Sequence, residues 1–188
     1  MVTESFPSFR DETWVGNRKS LSDISSYLLH DFNFLLVCLW KRAQILIAET
    51  WAAFYPPERN ASHPLFPGSR GPAIGKLTTF ADYRVPQILH HLRVLDYPPS
   101  LVQMLQAGTP MASGCAEEVS IRAASIIAVE RIRQEISTIS SSGKEVSSVL
   151  IDFYLWDLAK KIEGAEEKIT GIETNAIVPA HRTRSIWY

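Results

Sequence analysis

The chain has 188 residues, 46% of them hydrophobic, with 19 Lys and Arg against 20 Asp and Glu and a formal net charge of −1. That length supports one good core or two small ones, and the expectation is a single unit over 1–188. The near-zero charge excludes the general basic field that holds a polynucleotide backbone, so no stable nucleic-acid complex is expected, whereas a small anion needs only a few local charges.

The opening MVTESFPSFRDE has acids where a secretory leader needs a basic and then an apolar run. A cytoplasmic protein, also present in the nucleus, is expected, and the Asn60-Ala61-Ser62 sequon then has no glycosylation machinery to meet. The apolar run FNFLLVCLW (32–40) falls well short of the roughly 20 residues of a membrane span and reads as core. Cys38 and Cys115 match no CxxC or zinc spacing and read as inert thiols.

From Ser26 to Phe54 the chain is largely apolar and compatible with helix. KRAQILIAETWAAF (41–54) places Ala43, Ile47, Trp51 and Phe54 on one stripe, with Ile45 and Ala48 beside it. Residues 55–75, rich in Pro, Gly and Ser, read as a long surface loop.

FADYRVPQILHHL (80–92) has Ile88, Leu89, Leu92 and Leu95 at helical spacing behind Pro86. A helix or turn from about Leu77, a break near Arg84 and Val85, and a new helix with Pro86 in its first turn satisfy the proline. Asp82 then lies at the junction. Spacing alone reads it as a cap or surface residue, and the junction also lets it face a pocket. His90 and His91 are adjacent, diverge on a helix and cannot chelate one metal, so they read as solvated.

Tyr97-Pro98-Pro99 stops that helix, and SLVQMLQAG forms a short one, capped by Ser100 and ended by Gly108. EEVSIRAASIIAVERIRQEI (117–136) is the clearest helix. It has Ile121, Ser125, Ala128 and Ile132 on one side, charges on the other, and Glu118 four residues before Arg122 as a pair. Residues 137–148 read as a connector. The helix over 146–163 is apolar nearly all round, which predicts burial, yet it contains Asp152 and Asp157. Five residues at ~100° each put those acids about 140° apart, so they do not share one site. A buried pair with Arg or Lys is their plainer reading.

In the tail VPAHRTRSIWY, His181, Arg182 and Arg184 suit either packing or a basic edge near an anion, and Trp187 and Tyr188 read as anchors. The chain has no GxxxxGK[ST], GxGxxG or HExxH.

Four separated segments, FPSFRDE (6–12), KRAQILIAETW (41–51), LTTFADYRVPQIL (77–89) and IDFYLWDLAK (151–160), with the closing HRTRSIWY, resemble the queuosine salvage family, the queuosine 5′-phosphate N-glycosidases. The order matches, and ADYRVPQ is distinctive. The resemblance implies hydrolysis of the N-glycosidic bond of queuosine 5′-phosphate, releasing queuine for return to transfer RNA. It also implies an all-α domain similar to helix-hairpin-helix DNA glycosylases, working as a monomer without metal or organic cofactor.

The family's active-site aspartate maps on Asp82 and its motif lysine on Lys41. Breaking the bond builds positive charge at the anomeric carbon, which a carboxylate either attacks or stabilises. Phe80 is placed to stack on the flat base, and Asp152, less so Asp157, to accept from its donors, with Tyr154 as a further contact. Lys41, a catalytic candidate beside Asp82, suits the 5′-phosphate or the polarisation of Asp82, and Arg84 and His181 are further candidates for the phosphate.

Family members extend well beyond this chain on the N-terminal side, and residues 20–40 stand where the family has a short connection. A non-catalytic remnant that keeps the helical core and at most binds the nucleobase is the alternative.

Overall fold

A computed structural model describes residues 12–15, 35–58, 61–66, 72–140, 146–164 and 171–184. Helices build its body: α1 (Lys41–Ala53), α2 (Arg84–His91), α3 (Pro99–Gln106), α4 (Ala116–Ile139) and α5 (Ser148–Gly164). The departure from an all-α chain is an antiparallel ribbon of β1 (Glu12–Val15) and β2 (Leu35–Cys38), with Glu12 opposite Cys38 and Val15 opposite Leu35. The run ending at Cys38 is therefore strand where helix was expected. Trp40 explains the change, because its left-handed φ of 54° cannot continue a helix from the residues before it. A new helix begins after it with Gln44 N–H donating to the Trp40 carbonyl at 2.9 Å.

α1 buries Ala43, Ala48 and Trp51 as its stripe requires, and also its first residue, Lys41. Phe54 leaves the stripe. It is the residue that ends the helix, with φ of −108°, and its ring is exposed. The 55–75 segment is pinned, in its described part, at two points. His63 is buried, its Nε2–H donating to the Trp51 carbonyl at 2.9 Å while Nδ1 accepts from the Leu65 and Phe66 amides at 3.2 Å each. Ile74, in a 3₁₀ turn over Pro72–Lys76, packs with Ala48, Trp51, Phe80 and Val149.

The break before α2 falls at Ala81, with φ of 51°, rather than at Arg84 and Val85. Pro86 is the third residue of α2, in the first turn as expected, where its missing N–H costs nothing. Val85 is helical although it precedes proline, and its N–H is held by the Asp82 carboxylate at 2.9 Å. His90 and His91 are buried, against the solvated reading. His90 stacks on Tyr97 at 4.2 Å, and His91 Nδ1 donates to the Asn175 carbonyl at 2.6 Å. The tail, folded back over α2, encloses them, and no local pattern announces that return.

Pro98, not Ser100, precedes α3, and Gly108 ends it in the left-handed conformation (φ 66°). The sulfur of Cys115 caps α4 by accepting from the Glu118 amide. Val85, Ile88 and Leu89 of α2 pack against Ala128 and Val129 of α4 and Ile151, Leu155, Ala159 and Ile162 of α5. α5 is not buried all round: Leu150 and Tyr154, one turn apart, are exposed. The tail is tied through Val178, packed on Leu101, Leu105, Met111 and Ile121, and through Met111 N–H donating to the Arg182 carbonyl at 2.7 Å. Trp187 and Tyr188 lie outside the described residues.

Candidate functional site

Three separated segments bring charged side chains together inside the helical body. Lys41 opens α1, Asp82 precedes α2, and Asp152 lies in the second turn of α5. All three are buried. Lys41 and Asp82 each directly follow a non-glycine residue in the left-handed region, Trp40 and Ala81. Such conformations are disfavoured and persist only where surrounding contacts enforce them, as they do at functional sites.

Asp82 acts as a cap, as spacing alone suggested, and is buried beside Asp152. Its Oδ1 accepts from the Arg84 and Val85 amides at 3.0 and 2.9 Å. Among the described residues its hydrogen bonds fall on that oxygen. Asp152 is built the same way: Oδ2 accepts from the Thr79 hydroxyl and, at 2.9 Å, from the Phe80 amide. Burial raises the Asp152 carboxyl to about 6, and the charge of Asp82 adds to the rise. The Thr79 hydroxyl, the Phe80 amide and the charge of Lys41 oppose it. The Lys41 ammonium lies 5.8 Å from the centre of the Tyr83 ring.

Behind Asp82 stands a buried ion pair. Arg122 Nη1 donates to Glu118 Oε1 at 3.0 Å, Glu118 Oε2 accepts from the Gly114 amide at 3.0 Å, and Arg122 Nε donates to the Ala81 carbonyl at 2.9 Å. The i, i+4 pairing was legible, but the charges face the core instead of solvent. His181 is buried beside this pair. Burial lowers it to about 4, with Arg122 and Lys41 acting in the same sense and Glu118 against. Tyr83 and His181 border a shallow surface dent with no room for a water molecule, walled also by Tyr97, Leu105 and Pro179.

The other expected residues stand elsewhere. Phe80 is buried against Phe153, ring centres 5.9 Å apart, and offers its amide rather than its ring to the cluster. Arg84 pairs with Glu163 at 2.6 Å and lies against the Trp156 ring. Tyr154 and Asp157 are on the exposed side of α5, the angular separation from Asp152 that helix geometry required. Tyr83, Thr79, Glu118 and Arg122 join the cluster without having been read as site residues. Among the described residues no group of three or more His, Cys, Asp or Glu is arranged to hold a metal ion, and no helix is long and apolar enough to cross a membrane.

The shifts of Asp152 and His181 oppose each other in stability. Between about pH 4 and 6 the folded state holds the Asp152 proton that the unfolded chain has lost, so this contribution grows as pH falls. In the same window the unfolded chain protonates His181 and the folded state does not, so that contribution shrinks as pH falls. His181→Gln should therefore gain stability relative to Asp152→Asn on going from pH 7 to pH 4, by on the order of 5 kcal/mol, about half from each group, in urea titrations of the two variants. Parallel pH profiles would refute the assignment.

A family model described as queuosine salvage protein matches residues 1–188. The chain is 34% identical over 192 residues to a mouse protein and 34% identical over 188 residues to one from Sphaerobacter thermophilus. It is 36% identical over 200 residues to one from Nematostella vectensis. Each of these relatives is named queuosine 5′-phosphate N-glycosylase/hydrolase. All of this chain is covered in these matches, against 46%, 46% and 47% of the relatives, so it spans about half the length of the curated relatives it matches.

Proposed function

The chain belongs to the queuosine salvage protein family, and from that premise we propose that its buried acid cluster hydrolyses the N-glycosidic bond of queuosine 5′-phosphate. The observation that carries the reading is the convergence of Asp82, Asp152 and Lys41 from three segments, with Asp152 raised to about 6 by burial and by Asp82.

In this reading Asp82 Oδ2 faces the anomeric carbon and attacks it or stabilises its developing positive charge, while Oδ1 stays clamped by two backbone amides. Water supplies the hydroxyl that ends on the sugar, and the base leaves as queuine with a proton. Asp152 Oδ1, ionised at neutral pH, meets the donors on the base edge, and the raised pKa lets the group take up a proton below about pH 6. Lys41, held near Tyr83, and His181 lie toward the 5′-phosphate. Tyr83 replaces Phe80 as the aromatic surface open to the base. The domain is similar in this reading to helix-hairpin-helix DNA glycosylases and acts as a cytoplasmic monomer without metal or organic cofactor.

The test is incubation with queuosine, queuosine 5′-phosphate and guanosine 5′-phosphate, followed by chromatography for free base. Queuine should appear from the 5′-phosphate far faster than from the other two. Equal cleavage of guanosine 5′-phosphate would contradict a salvage role. The half-length match to the relatives favours one second reading, a chain that binds without turnover. Thermal stabilisation by queuine with no product would establish that reading instead.

A further inference from the structure

We propose that Arg122 is a positioning residue for the reaction: through the carbonyl of Ala81 it holds the chain in the left-handed turn from which the Asp82 carboxylate is presented. The proposal rests on the reading of Asp82 given above.

Ala81 is wholly buried and has φ of 51°, a conformation that an alanine adopts only under constraint. Two constraints act on the turn. On its far side the Arg84 and Val85 amides bind Asp82 Oδ1. On its near side the Ala81 carbonyl accepts from Arg122 Nε at 2.9 Å, across a sequence separation of 41 residues.

Arg122 can impose this geometry because it is itself fixed. Its side chain is 1% exposed, that of Glu118 0%, and Nη1 is committed to Glu118 Oε1. The other Glu118 oxygen is held by the Gly114 amide. In a planar guanidinium, seating Nη1 on a fixed carboxylate leaves Nε pointing in one direction. The chain Gly114–Glu118–Arg122–Ala81 thus runs from the N-terminal turn of α4 to the residue preceding the acid. Rotation of the Ala81 peptide would swing Asp82 off its two amides, and a displacement of about 1 Å at a reacting group costs on the order of 100-fold in rate. A lysine at 122 keeps the charge opposite Glu118 but has no second donor in a fixed plane for the Ala81 carbonyl.

The test uses the full chain with Arg122→Lys and the double variant Arg122→Lys/Ala81→Gly. Amide hydrogen exchange at Arg84 and Val85 should rise about 10-fold in the single variant, with Leu89, deeper in the same helix, unchanged. For queuine release, kcat should fall on the order of 100-fold with KM little altered. Glycine has no left-handed penalty, so Ala81→Gly should recover part of both losses.

Unchanged exchange at Arg84 and Val85, a uniform rise that includes Leu89, or no recovery with glycine would each overturn the proposal. If Arg122→Lys does not fold, Glu118→Gln/Arg122→Gln removes the clasp without stranding a charge and is read in the same way. The exchange measurement needs no turnover. An inactive wild type with the expected exchange pattern would therefore refute the glycosidase reading while leaving the clasp in place.

Discussion

Asp82→Asn should leave a folded protein whose queuine release from queuosine 5′-phosphate is slower by on the order of 1000-fold, the scale at which a preorganised charge contributes to a transition state. Asparagine suits the comparison because it is as good a cap as aspartate: its amide oxygen still accepts from the Arg84 and Val85 amides that Oδ1 now holds. What it removes is the negative charge that the proposed mechanism sets against the sugar. Asp82→Ala removes both, and should add a stability loss of about 1 kcal/mol from the lost cap. Turnover and urea midpoints for the two variants separate the roles. If Asp82→Asn turns over at the wild-type rate while Asp82→Ala is merely less stable, Asp82 is a cap and nothing more.

Glu118→Ala should be the most destabilising single change in the cluster, at about 3–5 kcal/mol. It strands a buried guanidinium and also leaves the Gly114 amide without its acceptor. Domains are commonly stable by only about 5–15 kcal/mol, so this loss is a large fraction of the total. Replacing both members with apolar residues, as Glu118→Leu/Arg122→Met, should cost much less, because no charge is then left buried alone. A double-mutant cycle by urea denaturation measures the difference. Simple additivity of the two single losses would mean that the ion pair is not a unit. The double variant should still lose rate, since the Ala81 carbonyl has lost its donor.

Several elements were legible because their causes are local. Pro86 belongs to a first helical turn for a reason internal to its ring, and Gly108 ends a helix because it tolerates a φ of 66°. The 140° between Asp152 and Asp157 follows from helix pitch, and one is buried while the other is exposed. The misreadings share a cause that is not local. His90 and His91 looked solvated because the strand of tail that covers them, bonded through Asn175, lies more than 80 residues away. Arg122 looked like surface because its second partner, Ala81, belongs to another segment. Phe80 packs on Phe153 of α5, ring centres 5.9 Å apart and planes tilted by 59°, a contact that no local pattern records.

By itself the sequence determined the helical segments from Lys41 onward, the junction at Asp82, the pairing of Glu118 with Arg122 and, through the order of its motifs, the family. Only the tertiary structure decided that Lys41, Asp82, Asp152, Glu118, Arg122 and His181 share one buried neighbourhood, and that Ala81 is the left-handed residue before the acid. Helix periodicity is set by interactions within a few residues, so a linear pattern records it. Burial, by contrast, is imposed by chain segments remote in sequence. It is burial that raises Asp152, lowers His181 and turns a surface-like Glu–Arg pair into the clasp behind Asp82.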